Sequence, residues 1–228
     1  MVQEVVKFII NNKRKNLGGV LTYIVLFFIV WTIYEVEIAT FIKDNYSTNI
    51  YIISRLLIKV LVWIFPVFLY LKFYDKVNPL SYLKLKDNTK RGLVGAIMLS
   101  LLFAIYNFSR VYFMGNSKLD LNLNMNTLIN GIVFVGFTEE IVFRGFLLKK
   151  IWNNSSFRKA MLISSLLFLF IHYPAWFIKG KLIFPNLIFS SIYVFGFAIL
   201  EAYIFKKTNS LWACIVSHSV HNFILSIL

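Results

Sequence analysis

One cysteine, Cys214, is the whole thiol content of 228 residues. An intrachain disulfide is excluded, and with it a thiolate metal cluster. Charged residues make up only 15% of the chain, with 10 acids against 24 bases. No Gly-rich phosphate loop, CxxC pair or solenoid-length repeat occurs, which removes the common nucleotide-binding and repeat architectures. The four prolines, Pro66, Pro79, Pro174 and Pro185, do not interrupt equivalent segments of two halves. A transporter of paired inverted repeats with broken helices is therefore disfavoured.

What the chain has in excess is apolar surface: 59% hydrophobic, 18% aromatic, mean hydropathy +0.72. Those values lie outside the range of soluble globular domains. Apolar runs of about 20 residues read as spanning helices. Seven are expected, at roughly 18–34, 56–74, 92–114, 127–148, 159–177, 182–205 and 210–228. The fold class is thus all-α, a polytopic transmembrane bundle set in a lipid bilayer.

The net charge of +14 would point to nucleic acid in a soluble protein, but here the bases gather in alternate connections, so no nucleic-acid partner is expected. Lys7, Lys13, Arg14 and Lys15 precede the first span; Lys72, Lys76, Lys84, Lys86, Lys90 and Arg91 follow the second; Lys149, Lys150, Arg158 and Lys159 follow the fourth; Lys206 and Lys207 follow the sixth. The opposite connections hold Lys43, Lys118, Lys179 and Lys181. This asymmetry predicts a cytoplasmic N-terminus. Arg55 and Lys59 stand at the outer entrance of the second span and are expected to snorkel or to lie in an interfacial segment. No small-residue cleavage site follows the first apolar run, so the first helix is read as retained. The polar, basic stretch Ser81 to Arg91 marks a boundary between a two-helix front part, 1–91, and a five-helix core, 92–228, which holds most of the intramembrane ionisable residues.

Three of those residues fall close together. Glu139, Glu140 and Arg144 lie within an apolar stretch long enough to cross a bilayer. Each costs roughly 2.5–3.5 kcal/mol at the centre of a membrane helix, which makes a functional site the default reading. Glu140 and Arg144 are four residues apart on one face, so pairing them is the cheapest way to keep both charged. Glu139, about 100° around the helix, is left as a free carboxylate. A second pattern is Phe168-Leu-Phe-Ile-His172, and a third is His218-Ser-Val-His221-Asn222, with His218 and Asn222 on one face. His172 and Asn222 taken singly would read as helix-to-helix hydrogen bonding. Glu201, near the end of the sixth span, reads as a snorkelling partner for Lys206 or Lys207.

Depth argues for convergence. At about 1.5 Å per residue, Glu139 lies roughly 15 Å from Lys149, His218 roughly 16 Å from Lys207 and His172 roughly 20 Å from Lys159. One carboxylate and two imidazoles reach nearly one level. A glutamate in a dry pocket can take a proton from water and return it to a leaving amine, with His and Asn donors on the oxyanion. Glu139, His172 and His218 could instead hold zinc with water in the open position. No metal is committed to, and both routes end in amide hydrolysis.

The set Glu139-Glu140-x-x-x-Arg144, Phe168-x-x-x-His172 and His218-x-x-x-Asn222 resembles the CPBP family of intramembrane proteases, which includes CAAX prenyl endopeptidases and bacterial Abi proteins of bacteriocin processing and self-immunity. Thr208-Asn-Ser-Leu-Trp212 resembles the family's usual lead-in to the last motif. The resemblance covers roughly Asn130 to Leu228. It implies that Glu139 activates water with His172, that His218 and Asn222 bind the oxyanion, and that Glu140 and Arg144 support the site; His221 lies outside the spacing. A chain rich in Ile, Asn and Lys reads as a bacterial cell-membrane protein. Its expected substrate is a peptide or membrane-tethered precursor, cut from the cytoplasmic side. The competing reading is a non-catalytic immunity or regulatory protein, or a small transporter, that keeps the polar core for packing.

Overall fold

The computed structural model describes the backbone of residues 2–114 and 119–228, and the side chains of these from Gly18 onward with the exception of position 114. Lys118 lies outside the described residues, as do the side chains of Lys7, Lys13, Arg14 and Lys15. Among the described residues there is no strand. Nine helical rods follow in order: α1 (2–45), α2 (Thr48–Tyr74), the short α3 (Pro79–Tyr82), α4 (Thr89–Met114), α5 (127–152), α6 (Phe157–Phe170), α7 (Tyr173–Ile178), α8 (Asn186–Thr208) and α9 (Leu211–Ile227).

Local chemistry sets the breaks. Asn78 caps α3 by accepting from Ser81 N at 3.2 Å, with Pro79 at the first helical position. Ser156 caps α6, and Pro174 opens α7 where α6 ends. Asn209, at φ 51°, takes the left-handed conformation that stops α8.

Among the described residues five stretches are long and apolar enough to span a membrane: Gly18–Asn45, Thr48–Tyr74, Thr89–Phe113, Phe157–Ile178 and Asn186–Thr208. Two of the seven expected spans fall short of that measure for different reasons. Rod α5 carries Glu139, Glu140 and Arg144 near its middle, and α9 is an apolar helix of only 17 residues. The bundle turns large apolar side chains outward, among them Leu26, Phe41, Ile97, Met98 and Phe189. That pattern suits lipid and would be an aggregation hazard in water. The chain is a multi-pass membrane protein.

The buried core runs from Phe27, Trp31 and Trp63 of the first two rods through Phe143 and Phe146 of α5 to Phe168, Phe197 and Ile215. Residues 83–88 fold back onto the start of α9: Leu211 N donates to Lys84 O at 3.1 Å, Trp212 Nε1 to Leu85 O at 2.8 Å, and Asn88 Nδ2 to Asn209 O at 3.3 Å. Lys149 and Lys150 meet Tyr82 O and the Asp75 carboxylate at the same end of the bundle.

Rod α5 is wound in an unusual way. Two π-helical stretches, Thr127–Phe134 and Ile141–Leu148, flank the α-helical turn and a half Val135–Glu140. π-Turns inside helices occur mostly at functional sites, and here they bracket both glutamates. Gly136 then lets α5 approach α9. A Cβ at that position would stand 2.5 Å from Ser219 Oγ and 3.2 Å from Ile215 O, the second a backbone atom that cannot rotate away. Gly136→Val is therefore expected to push the two helices apart and lower the melting temperature by at least the roughly 2–4 °C that 1 kcal/mol of overpacking produces in a chain of this size. A thermal scan of the purified variant checks this, and a melting point equal to wild type would show that the rods do not meet there.

Candidate active site

Rods α5, α6, α8 and α9 bring the three motifs together. Glu140 is fully buried and its Oε1 accepts from two donors, Arg144 Nη1 at 2.9 Å and His218 Nδ1 at 2.7 Å. The carboxylate partner on Nδ1 sets the tautomer of His218 and aims its Nε2 the other way. That nitrogen faces Glu139, whose Oε2 lies 4.0 Å off, is buried and has no hydrogen-bond partner. Arg144 is 1% exposed; its Nη2 donates to Ala198 O at 3.3 Å, and its guanidinium lies 4.3 Å from the centre of the Phe168 ring. The first Phe of the second motif is thus a platform for the Arg of the first.

His172 donates Nδ1–H to Phe168 O at 2.7 Å, four residues back on its own helix, which leaves Nε2 free. Asn222 spends one amide hydrogen on Gly131 O at 3.0 Å, on the π-wound start of α5, and keeps the other. His172, His218 and Asn222 all line one cavity of about 980 Å³ with a largely aromatic wall. His221 lines it as well, hydrogen-bonded through Nε2 to Tyr193 OH at 2.7 Å, which in turn donates to Asn107 Oδ1 at 3.2 Å.

Several sequence expectations are overturned. The cavity was expected toward the basic end of the bundle. Its remaining lining includes Arg110 near the end of α4 and Gly180 and Lys181 after α7, which places its mouth at the end opposite the Lys84 and Lys149 clasp. Distance from a cationic helix end gives depth alone and does not say which end opens. Glu201 does not snorkel: it is 0% exposed, accepts from Ser217 Oγ at 2.7 Å, and faces α9, whereas Lys206 lies over the Phe157 ring and Lys207 over that of Tyr203.

Arg55 and Lys59 do not snorkel either. Arg55 forms a two-pronged pair with Glu35 of α1, at 2.8 and 3.3 Å. Lys59 is 3% exposed and faces inward beside Trp63. The front rods therefore hold buried charges of their own. The rule that singled out Glu139, an ionisable group inside an apolar run, would have found Lys59 and Glu201 had it been applied evenly.

The zinc set fares poorly as geometry. Among the described residues the trio whose ligand atoms all lie within 4.8 Å of one another is Glu140, Glu201 and Cys214, and not Glu139, His172 and His218. Cys214 is fully buried and donates to Glu201 O at 3.3 Å. Glu140 is already committed to Arg144 and His218. The carboxylate and imidazole of the site meet as a pair, Glu139 with His218, and not as a three-donor cage.

Fold and site together define a polytopic helical membrane protein with an imidazole, His218, in the wall of a cavity and a buried carboxylate, Glu139, behind it. Residues 121–224, which carry all three motifs, match the family model described as type II CAAX prenyl endopeptidase Rce1-like. The family supports a CAAX-type intramembrane peptidase in general terms. No curated protein and no solved structure matches the chain.

Proposed function

We propose that the protein is an intramembrane endopeptidase in which Glu139 is the general base, and that its substrate is a peptide or membrane-tethered precursor. The observation that carries this is the buried, unpartnered Oε2 of Glu139, 4.0 Å from the Nε2 of His218, which lines the cavity. A water held there gives a proton to Glu139 as its oxygen adds to the scissile carbonyl. The carbonyl becomes an oxyanion, received by the spare amide hydrogen of Asn222 and by His218 Nε2–H. For that donation His218 must hold a proton on each ring nitrogen, since its Nδ1–H is already given to Glu140. The C–N bond then breaks, and Glu139 returns its proton to the leaving amine. His172, with Nε2 free, helps to orient the water.

Purified protein in lipid or detergent is given a quenched peptide library, with Glu139→Gln and a chelator-treated sample alongside. Turnover in wild type that survives chelation and is lost in Glu139→Gln supports the reading. Loss on chelation makes the site a metal site, and equal turnover in wild type and variant removes Glu139 from the mechanism.

The basic connections are proposed to be cytoplasmic, so the cavity mouth near Lys181 opens on the other side. Lys181→Cys is then expected to react with an impermeant thiol reagent added to intact cells, and Lys86→Cys only after the cells are opened. The reverse labelling pattern would turn the protein over.

A further inference from the structure

Lys59 is the least comfortable residue in the bundle. It is 3% exposed and makes no ion pair within 4.0 Å among the described residues. A bare buried ammonium is expensive, and such groups persist where an opposite charge or a function holds them. The charge that acts on it most strongly is Glu139, ahead of Arg55 and Glu35. The fold agrees, since the stretch Lys59–Ile64 packs directly on Val135–Glu140. Glu139 thus faces His218 of α9 and belongs to the stretch of α5 on which the Lys59 turn of α2 packs, and its Oε2 is hydrogen-bonded to neither. Arg55, the next cation along α2, is committed to Glu35, so it does not compete for Glu139.

We infer that Lys59 is a positioning residue for Glu139, contributed by the front part of the chain: its ammonium keeps the carboxylate turned toward His218. This rests on Glu139 being the base. The other charged groups near the pair are His218 across the site and Glu140 with Arg144 on Glu139's own rod, which are turned to one another. Lys59 is thus the one cation near Glu139 that is not already spent on another acid among the described residues.

The effect is read as rate. Lys59→Met is expected to lower kcat by roughly 10–100-fold with KM close to wild type, because the base is displaced while the cavity wall is not. Lys59→Arg keeps the charge and should recover most of that rate. A purely structural lysine would change stability and leave the kcat of the folded protein unchanged.

A second readout needs no turnover. Melting temperatures of wild type, Lys59→Met, Glu139→Gln and the double variant form a cycle. Coupled groups make the double variant more stable than the sum of the single losses, by at least the roughly 2–4 °C that 1 kcal/mol represents. Lys59→Gln replaces Lys59→Met in both experiments if the latter does not fold. Additive melting temperatures overturn the inference whether or not the protein cleaves peptides, and so does an unchanged kcat in a folded Lys59→Met variant of an active enzyme. A coupled cycle in a protein that cleaves nothing keeps the contact and removes the protease reading.

Discussion

Replacing Arg144 by methionine is expected to cost about 3–5 kcal/mol, the range found when one partner of a buried ion pair is removed and the other left behind. The group stranded would be Glu140, which is fully buried, and Ala198 O would lose the bond from the second guanidinium nitrogen. His218 would remain as the only donor to Glu140, and the Phe168 ring would lose the cation over its face. At roughly 2–4 °C per kcal/mol the melting temperature should fall by about 6–20 °C. The diagnostic comparison is the double variant Arg144→Met with Glu140→Gln. It removes the stranded charge and should melt above Arg144→Met alone. Thermal scans in one fixed lipid or detergent decide it. A loss of less than about 1 kcal/mol in Arg144→Met would mean that water reaches the pair.

Glu139→Gln is expected to do a different kind of damage, chiefly to rate, with a smaller loss of stability from the charge it takes away from Lys59. The amide has nearly the same shape as the carboxylate, and the oxygen it replaces has no hydrogen-bond partner to lose. It cannot accept the proton from water, and general-base catalysis is typically worth about 10²–10⁴-fold. The expected result is a kcat lower by that factor, with KM close to wild type because the cavity wall is unchanged. Initial rates on whichever library peptide wild type cuts fastest provide the check. A changed KM with normal kcat would place Glu139 in substrate binding instead.

The pair Glu140–Arg144 was legible in the sequence because four-residue spacing is a local property of a helix, whether its turns are α or slightly wider π. The shared level of Glu139, His172 and His218 was legible because rise per residue is nearly constant and the cationic helix ends mark a common plane. What could not be read was direction across the bundle. Glu201 stands close to Lys206 and Lys207 in sequence, yet the face it presents is set by α9, through Ser217 and Cys214. Lys59 stands near an expected membrane entrance, but α2 begins at Thr48, eight residues earlier than the apolar run suggested, which draws the lysine into the bundle. The cavity mouth was misplaced for the same reason: which helices splay is a property of their packing, and depth along any one of them carries no record of it.

The burial of Cys214 has a practical side. Its sulfur faces Glu201 in a region closed to solvent, so the natural chain should be blind to thiol reagents while folded. The protein then serves as its own blank: an introduced cysteine would be the sole reactive position without any cysteine-free background having to be made. The rate at which the unmodified chain itself begins to take up label on warming or in a harsher detergent would time the opening of the helices around Glu140, a clock already built into the sequence.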